Sequence, residues 1–313
     1  MQEGGLRGMS PLRLGALDFS VIPDGGKPAD GIWNTLELAQ SLESMGYSRF
    51  WLAEHHTNLV AHSCPEIMTT LIAGITKRIR VGTAGILLRL YSPLKVASTF
   101  RLLHGTFPGR IDLGLARGYT SPEVAGQFSE DALREGIYES KVDKLLHFLR
   151  GTGPVVPNPT GIAPPEVWLL GSSEESARFA ASMGVAFCLG MFLSEKTKND
   201  YSAACHRYRS EFQPSRELSD PKIAIAIAGT CSENVADAAK SVRSHERSPV
   251  KVTPTVVGTP AECYDKFCEF EKLFDTEEII FLDIAQEPGR RLASYSLLAE
   301  ACRLLETSSS HVG

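Results

Sequence analysis

The sequence predicts an α/β fold, a (β/α)8 TIM barrel in a single domain. Three observations carry this. Eight short apolar runs recur along the chain, separated by longer stretches with helical periodicity. The length of 313 residues suits one barrel of this kind. No G-x-G-x-x-G follows the first apolar run, which argues against a doubly wound dinucleotide-binding sheet.

The elements follow in order. Leu14–Ser20 is the first strand, and a helix over Asp30–Met45 ends before Gly46, a residue suited to the left-handed helix end. Arg49–Glu54 is the second strand, with a helix over Pro65–Thr76. Ile79–Ile86 is the third, with a helix over Pro93–Leu103, and Ile111–Ala116 is the fourth. A long polar loop then leads to a helix over Ala132–Leu149. The Pro- and Gly-rich segment Gly151–Pro165 reads as a loop inside the domain, because strand and helix alternate again directly after it. Val167–Leu170 and Val185–Leu189 are the fifth and sixth strands, with helices over Ser173–Met183 and Ser194–Phe212. Ile223–Gly229 is the seventh, followed by helices over Ser232–Ser244 and Thr259–Phe274. Ile279–Asp283 is the eighth strand, and Arg290–Leu305 the last helix. Residues 1–10 read as a flexible tail ahead of a barrel domain spanning 11–313.

Composition narrows the function. Hydrophobic residues make up 43% and charged residues 22%, ordinary values for a globular enzyme. The net charge of −5 and the absence of a basic block argue against nucleic acid and anionic membrane as partners. No apolar run is long enough to span a bilayer or to act as a signal segment. Seven scattered cysteines, with no C-x-x-C pair, suggest a reducing cytoplasm and no metal cluster.

Barrel active sites lie at the C-terminal ends of the strands. Asp18, Phe19 and Ser20 end the first strand, and Glu54, His55 and His56 the second. Unless the strand has already ended, alternation sends Glu54 and His56 to one side and His55 to the other, so the three do not converge on a metal. His55 is the acid/base candidate. Thr83, Ala84 and Gly85 leave room for a flat molecule against the backbone. Gly171, Ser172 and Ser173 open a helix and offer N–H groups and hydroxyls to an anion, and Arg117 adds a guanidinium. An anion site beside a flat apolar shelf suits FMN or a related flavin. The same serines also suit simple helix capping, and Arg117 a surface ion pair. Trp33, Trp51 and Trp168 read as core residues and Cys188 as a buried strand residue. Arg89 and Tyr91 sit where they can reach substrate or a partner subunit.

Several strings resemble the bacterial-luciferase-like flavin-dependent monooxygenases: WLAEHH (51–56), RVGTAGILL (80–88), GRIDLGLARG (109–118), VWLLGSSEESARFAASMG (167–184) and VVGTPAEC (256–263). They occur in the family's order over most of the chain. The resemblance implies that His55 is the base in flavin–oxygen chemistry and that Ala84–Gly85 is a non-proline cis peptide under the flavin ring. It implies that Arg117, with Gly118 and Tyr119 beside it, and Ser173 and Ser176 contact the flavin phosphate. The family's reactive cysteine is replaced by Ala116, and a second phosphate cation has no clear counterpart, Lys141 being the nearest basic residue.

The implied function is a two-component monooxygenase. A separate NAD(P)H:flavin reductase supplies reduced FMN, and O2 reacts by way of a flavin hydroperoxide to oxygenate a small organic substrate near Ser20, Arg89 and Tyr91. The resemblance also implies a homodimer. Two alternatives stay open: hydride transfer with a deazaflavin on the same barrel, and a non-catalytic flavin-binding protein.

Overall fold

The computed structural model describes residues 12–245 and 252–305; the expected N-terminal tail lies outside them. The strands are β1 (Arg13–Asp18), β2 (Arg49–Leu52), β3 (Arg80–Thr83), β4 (Ile86–Leu87), β5 (Ile111–Ala116), β6 (Glu166–Gly171), β7 (Ala186–Gly190), β8 (Ile223–Cys231), β9 (Pro254–Gly258) and β10 (Glu278–Asp283). Between and after them run α1 (Pro28–Ser44), α2 (Pro65–Ile75), α3 (Pro93–Thr106), α4 (Pro122–Phe128), α5 (Ile137–Arg150), α6 (Glu174–Met183), α7 (Lys198–Glu211), α8 (Val235–His245), α9 (Pro260–Phe274) and α10 (Pro288–Ala301). Proline occupies the first turn of α1, α2, α3, α4, α9 and α10, where its missing N–H is no loss.

Eight strands close into a parallel ring in the order β1, β2, β3, β5, β6, β7, β8, β10, with β10 pairing back to β1. The protein is a TIM barrel, as the alternation predicts. Two strands lie off the ring. β4 carries the third strand onward past Ala84–Gly85 and pairs with the end of β5 at Leu115 and Ala116. β9 pairs with the far end of β8, beyond the point where β7 stops at Gly190–Ala226. The sequence reading missed β9, taking its residues for a turn, and missed α4 within the polar loop after β5. Both are short and lack a clean period.

β8 shows how the pattern builds the layers. Ile223, Ile225 and Ile227 face the helices, whereas Ala224, Ala226 and Ala228 face the barrel interior. Those alanines leave space for Trp51 and Trp168, which pack edge to face at 5.2 Å in the interior. Trp33, in contrast, is 64% exposed on α1 and belongs to no core.

Beneath the tryptophans the barrel floor is ionic. Arg49 reaches Asp112 (2.6 Å), Glu278 (2.7 Å) and Glu166 (3.1 Å). Arg80 also pairs with Asp112, and Lys222 with Glu166 at 2.8 Å. Three cations thus match three anions. Trp51 donates to Asp112 and Trp168 to Glu166. Burial pushes the Asp112 and Glu166 carboxyls up, but the neighbouring cations, Arg49 foremost, outweigh it and hold both below their ordinary values of 3.8 and 4.5. Depressed carboxyls contribute stability above their unfolded values and lose it as pH falls through the folded ones.

Arg49→Met removes the central cation and leaves Asp112 and Glu278 buried with a deficit of charge. The expected loss is about 3–5 kcal/mol at neutral pH, measured by urea unfolding. The difference from wild type should shrink as the pH is lowered, and a loss near zero at neutral pH refutes the account.

Candidate active site

The C-terminal strand ends enclose a cavity of about 530 Å³. Of the residues singled out at these strand ends, Phe19, Glu54, His55, Ala84, Gly85, Arg117 and Gly171–Ser173 lie on its wall, whereas Asp18, Ser20, His56 and Thr83 do not. One end is formed by Gly171, Ser172, Ser173 and Ser176, with Arg117, Gly118 and Tyr119 at the mouth. The other is formed by His55, Ala84 and Gly85, with Phe19, Ala53 and Phe192 around them.

The shelf follows from close backbone approach. The Ala84–Gly85 peptide is cis. A Cβ on Gly85 would meet the backbone of Gly114 at 2.8 Å, and one on Gly114 would sit 1.9 Å from the Thr83 carbonyl oxygen. Only glycine fits either position, so β3 and β5 press together and the shelf lies flat against them.

At the polar end, Ser173 caps α6. Its hydroxyl accepts from Ser176 N at 3.2 Å, while Ser176 Oγ accepts from Ser173 N at 3.1 Å. The helix N-terminus and both hydroxyls therefore share one edge of the cavity. Arg117 pairs with Glu139, stands 3.7 Å from Glu175 and lies 5.7 Å over the Tyr138 ring. Half of its side chain is exposed, leaving its guanidinium accessible at the mouth. Capping and ion pairing are thus both present, in an arrangement that also suits an anion.

His55 sits at the apolar end, its ring 4.7 Å from that of Phe19. Its Nδ1 is buried and has no hydrogen-bond partner. Burial lowers its pKa from 6.5; Glu54 works against that shift and His56 with it. The imidazole is therefore neutral at pH 7 and able to accept a proton. Glu54 is buried and tightly held: Oε2 accepts from Leu87 N at 2.9 Å, and Oε1 accepts from Tyr91 OH at 2.7 Å and meets His56 Nε2 at 2.7 Å. The strand alternation expected here does not apply: β2 ends at Leu52, and Glu54 and His55 both line the cavity while Glu54 meets His56 at 2.7 Å.

Several expectations need correction. Tyr91 does not line the cavity, and its hydroxyl donates to Glu54. Arg89 donates to the Ala132 carbonyl at 2.7 Å, Ser20 Oγ lies 2.9 Å from His62 Nε2 and accepts from Thr35, and neither residue lines the cavity. Lys141 donates to the Arg89 carbonyl, away from the serines. The cation that does reach the serine loop is Lys196, whose Nζ donates to the Ser172 carbonyl at 2.7 Å. No local signal marks it, since it arrives on the loop after β7. Among the described residues no three His, Cys, Asp or Glu side chains converge on a metal site.

A closed parallel barrel thus brings a helix N-terminus with two hydroxyls, a flat backbone shelf and a buried histidine onto one cavity at the C-terminal ends of its strands. The sequence profile of the luciferase-like monooxygenases matches residues 12–253. The chain belongs to that family. A luciferase-like monooxygenase of Escherichia coli strain K12 is 30% identical over 294 residues, which are 91% of this chain and 87% of that one. The structure of apo-MsnO8 superposes with a TM-score of 0.86 at 30% identity, covering 94% of this chain and 99% of the other. Lower-identity structures share the fold. They include the oxygenating constituent of 3,6-diketocamphane monooxygenase from Pseudomonas putida in complex with FMN (TM-score 0.72, 15% identity, 93% and 97% covered). An F420-dependent secondary alcohol dehydrogenase is another (TM-score 0.66, 14% identity, 94% and 99% covered).

A Cβ on Gly171 would lie 2.2 Å from Ser176 Oγ. Gly171→Ala is therefore expected to displace Ser176, break the reciprocal cap and cost about 1–3 kcal/mol in thermal unfolding. Gly126→Ala on α4, where nothing lies within 4 Å, is the control and should be neutral or slightly stabilising. Equal behaviour of the two variants contradicts this reading of the serine loop.

Proposed function

We propose that the protein is a two-component flavin-dependent monooxygenase that takes reduced FMN from a separate NAD(P)H:flavin reductase and uses O2 to oxygenate a small organic substrate. The observation that carries this is the single cavity joining the anion end at Ser173 and Ser176 to the shelf at Ala84–Gly85 and to His55. Its volume lies within the range of cofactor sites. When bound, reduced FMN supplies the electrons that activate O2, and one oxygen atom passes to the substrate.

The chain's own residues do the rest. Ser172, Ser173, Ser176, the α6 N-terminus and the peptide around Gly118 and Tyr119 would hold the phosphate, with Arg117 supplying positive charge at the mouth, while Lys196 braces the loop from outside the cavity through the Ser172 carbonyl. Ala84 and Gly85 would carry the ring. Phe19, Ala53 and Phe192 keep the inner end apolar and exclude water. His55, neutral and partly desolvated, accepts or returns the proton at its imidazole. A buried histidine nitrogen without a partner, facing no structural duty, favours catalysis over mere flavin binding.

The family relation and the FMN-bound neighbour support FMN; the F420-dependent neighbour is the reason to test a deazaflavin. Self-association is supported by Ile67, Leu71 and Ile75, which form an exposed apolar stripe at helical spacing on α2, with exposed Leu102 on α3. All seven cysteines are free thiols, which supports residence in a reducing cytoplasm.

The cofactor is checked by anaerobic fluorescence titration with reduced FMN and with a deazaflavin, followed by oxygen uptake with NADH and a flavin reductase. FMN binding with oxygen uptake above the reductase background is expected; deazaflavin binding without oxygen uptake overturns the proposal. His55→Ala should keep FMN affinity within about twofold yet lower product formation roughly 100-fold or more. In wild type, activity should rise with pH through a midpoint below 6.5, the direction in which burial moves His55. For the interface, Leu71→Asp is expected to halve the mass measured by light scattering, and an unchanged mass removes α2 from the contact.

A further inference from the structure

The buried carboxylate of Glu54 lies beside the reacting end of the cavity with no role assigned to it. It lines the cavity wall, yet both its oxygens are committed elsewhere. One accepts from the backbone of Leu87, two residues past the shelf peptide. The other accepts from Tyr91 OH and meets His56. Leu87 belongs to β4, the off-ring strand that holds the shelf against β5 through Ile86–Leu115 and Leu87–Ala116. Leu87 also packs under Gly118: a Cβ on that glycine would lie 2.2 Å from Leu87 Cδ2. Glu54 thus ties three things to one another: the turn that carries His55, the strand that carries the shelf, and the loop before α3.

The region is closed by aromatic packing. Phe128 at the end of α4 lies 5.0 Å from the His56 ring and 5.4 Å from the Tyr91 ring, both edge to face. Both residues that share Glu54 Oε1 are therefore covered from above, so water does not compete freely for the carboxylate.

We propose that Glu54 is the positioning residue of this site, acting through its hydrogen bonds to Leu87 N, Tyr91 OH and His56 to fix the turn that carries His55 relative to the Ala84–Gly85 shelf. The inference rests on the function proposed for His55. The charged and titratable groups that face this pair are His56 on the same turn, Tyr91 before α3, and Cys64 and Glu66 at the start of α2. On the β1 side the neighbour of His55 is Phe19, which carries no charge. Glu54 is the group in this set that raises the His55 pKa, against desolvation and His56, which lower it. Burial and Glu54 together push the Tyr91 hydroxyl well above its ordinary range, so it stays a donor.

The test uses two variants with opposite signatures. Glu54→Gln keeps the shape and removes the charge. Its His55 imidazole, followed by NMR titration of the cofactor-free protein, should titrate about one pH unit lower than in wild type. The acidic limb of the activity profile should move down with it. Glu54→Asp keeps the charge but shortens the reach, so that Leu87 N and Tyr91 OH are no longer held together. It should leave the His55 midpoint near wild type and lower kcat roughly 10- to 100-fold. A His55 midpoint that does not move in Glu54→Gln, or full turnover in Glu54→Asp, overturns the inference. If Glu54→Gln fails to fold, Glu54→Asp and its kcat decide. His55→Ala run in parallel separates the two proposals: activity retained in that variant sinks the role of His55 itself, whereas activity lost there with both Glu54 variants unaffected sinks only the role of Glu54.

Discussion

Everything at the catalytic end depends on the ionic floor at the other end of the barrel. A ring of eight parallel strands leaves an interior that side chains must fill, and the lowest layer here is Arg49 bound to carboxylates from β5, β6 and β10. Charges this deeply buried are costly unless every one is paired. Arg80 and Lys222 complete the pairing, so the floor is neutral and cross-links strands on opposite sides of the ring. The two buried tryptophans rest on it, each donating its indole N–H to one of the floor carboxylates. Arg49 also lies 5.0 Å over the Trp168 ring. With floor and tryptophan layer set, the upper ends of the strands can carry small residues and open space instead of packing.

That division of labour explains why the cavity has a flat wall. The glycines at 82, 85 and 114 let β3 and β5 approach more closely than side chains permit. The neighbouring helix start at Ser173 then stands across the cavity from the shelf. The shelf at one end is backbone geometry, whereas the other end adds the hydroxyls of Ser173 and Ser176 and the Arg117 guanidinium to the helix start. At the apolar end, by contrast, stand His55 beside Phe19 and the neighbouring Glu54 carboxylate, whose partners are Leu87 on β4, Tyr91 before α3 and His56.

Much of this was legible in the chain. The ring strands follow from apolar runs of strand length, and α1, α3 and α6 from helical spacing with Pro, Ser and Gly at the expected ends. The positions of His55, Ala84–Gly85, Arg117 and Ser173 on one wall follow from the rule that barrel loops converge at the C-terminal strand ends. The elements missed were the ones without such signals. α4 is seven residues long inside a polar loop, and β9 is a five-residue strand pairing with only the tip of β8. Trp33 reads from sequence as core, yet α1 turns it outward, since Leu36, Ala39 and Leu42 already fill the face that meets the barrel.

The sequence by itself determined the architecture and which residues would stand around the site, because period, capping and strand ends are local properties that survive any reasonable packing. It did not determine partners. Tyr91, free by sequence to meet substrate or a partner subunit, is a ligand of Glu54, 37 positions away; Lys141, the nearest basic residue where no second phosphate cation was clear, bonds the Arg89 carbonyl, and Lys196 reaches the serine loop, 24 positions from Ser172. Side chains of this kind have several acceptors within reach along the chain. Only the closed ring, which fixes the distance between loops of neighbouring βα units, decides which acceptor each one meets.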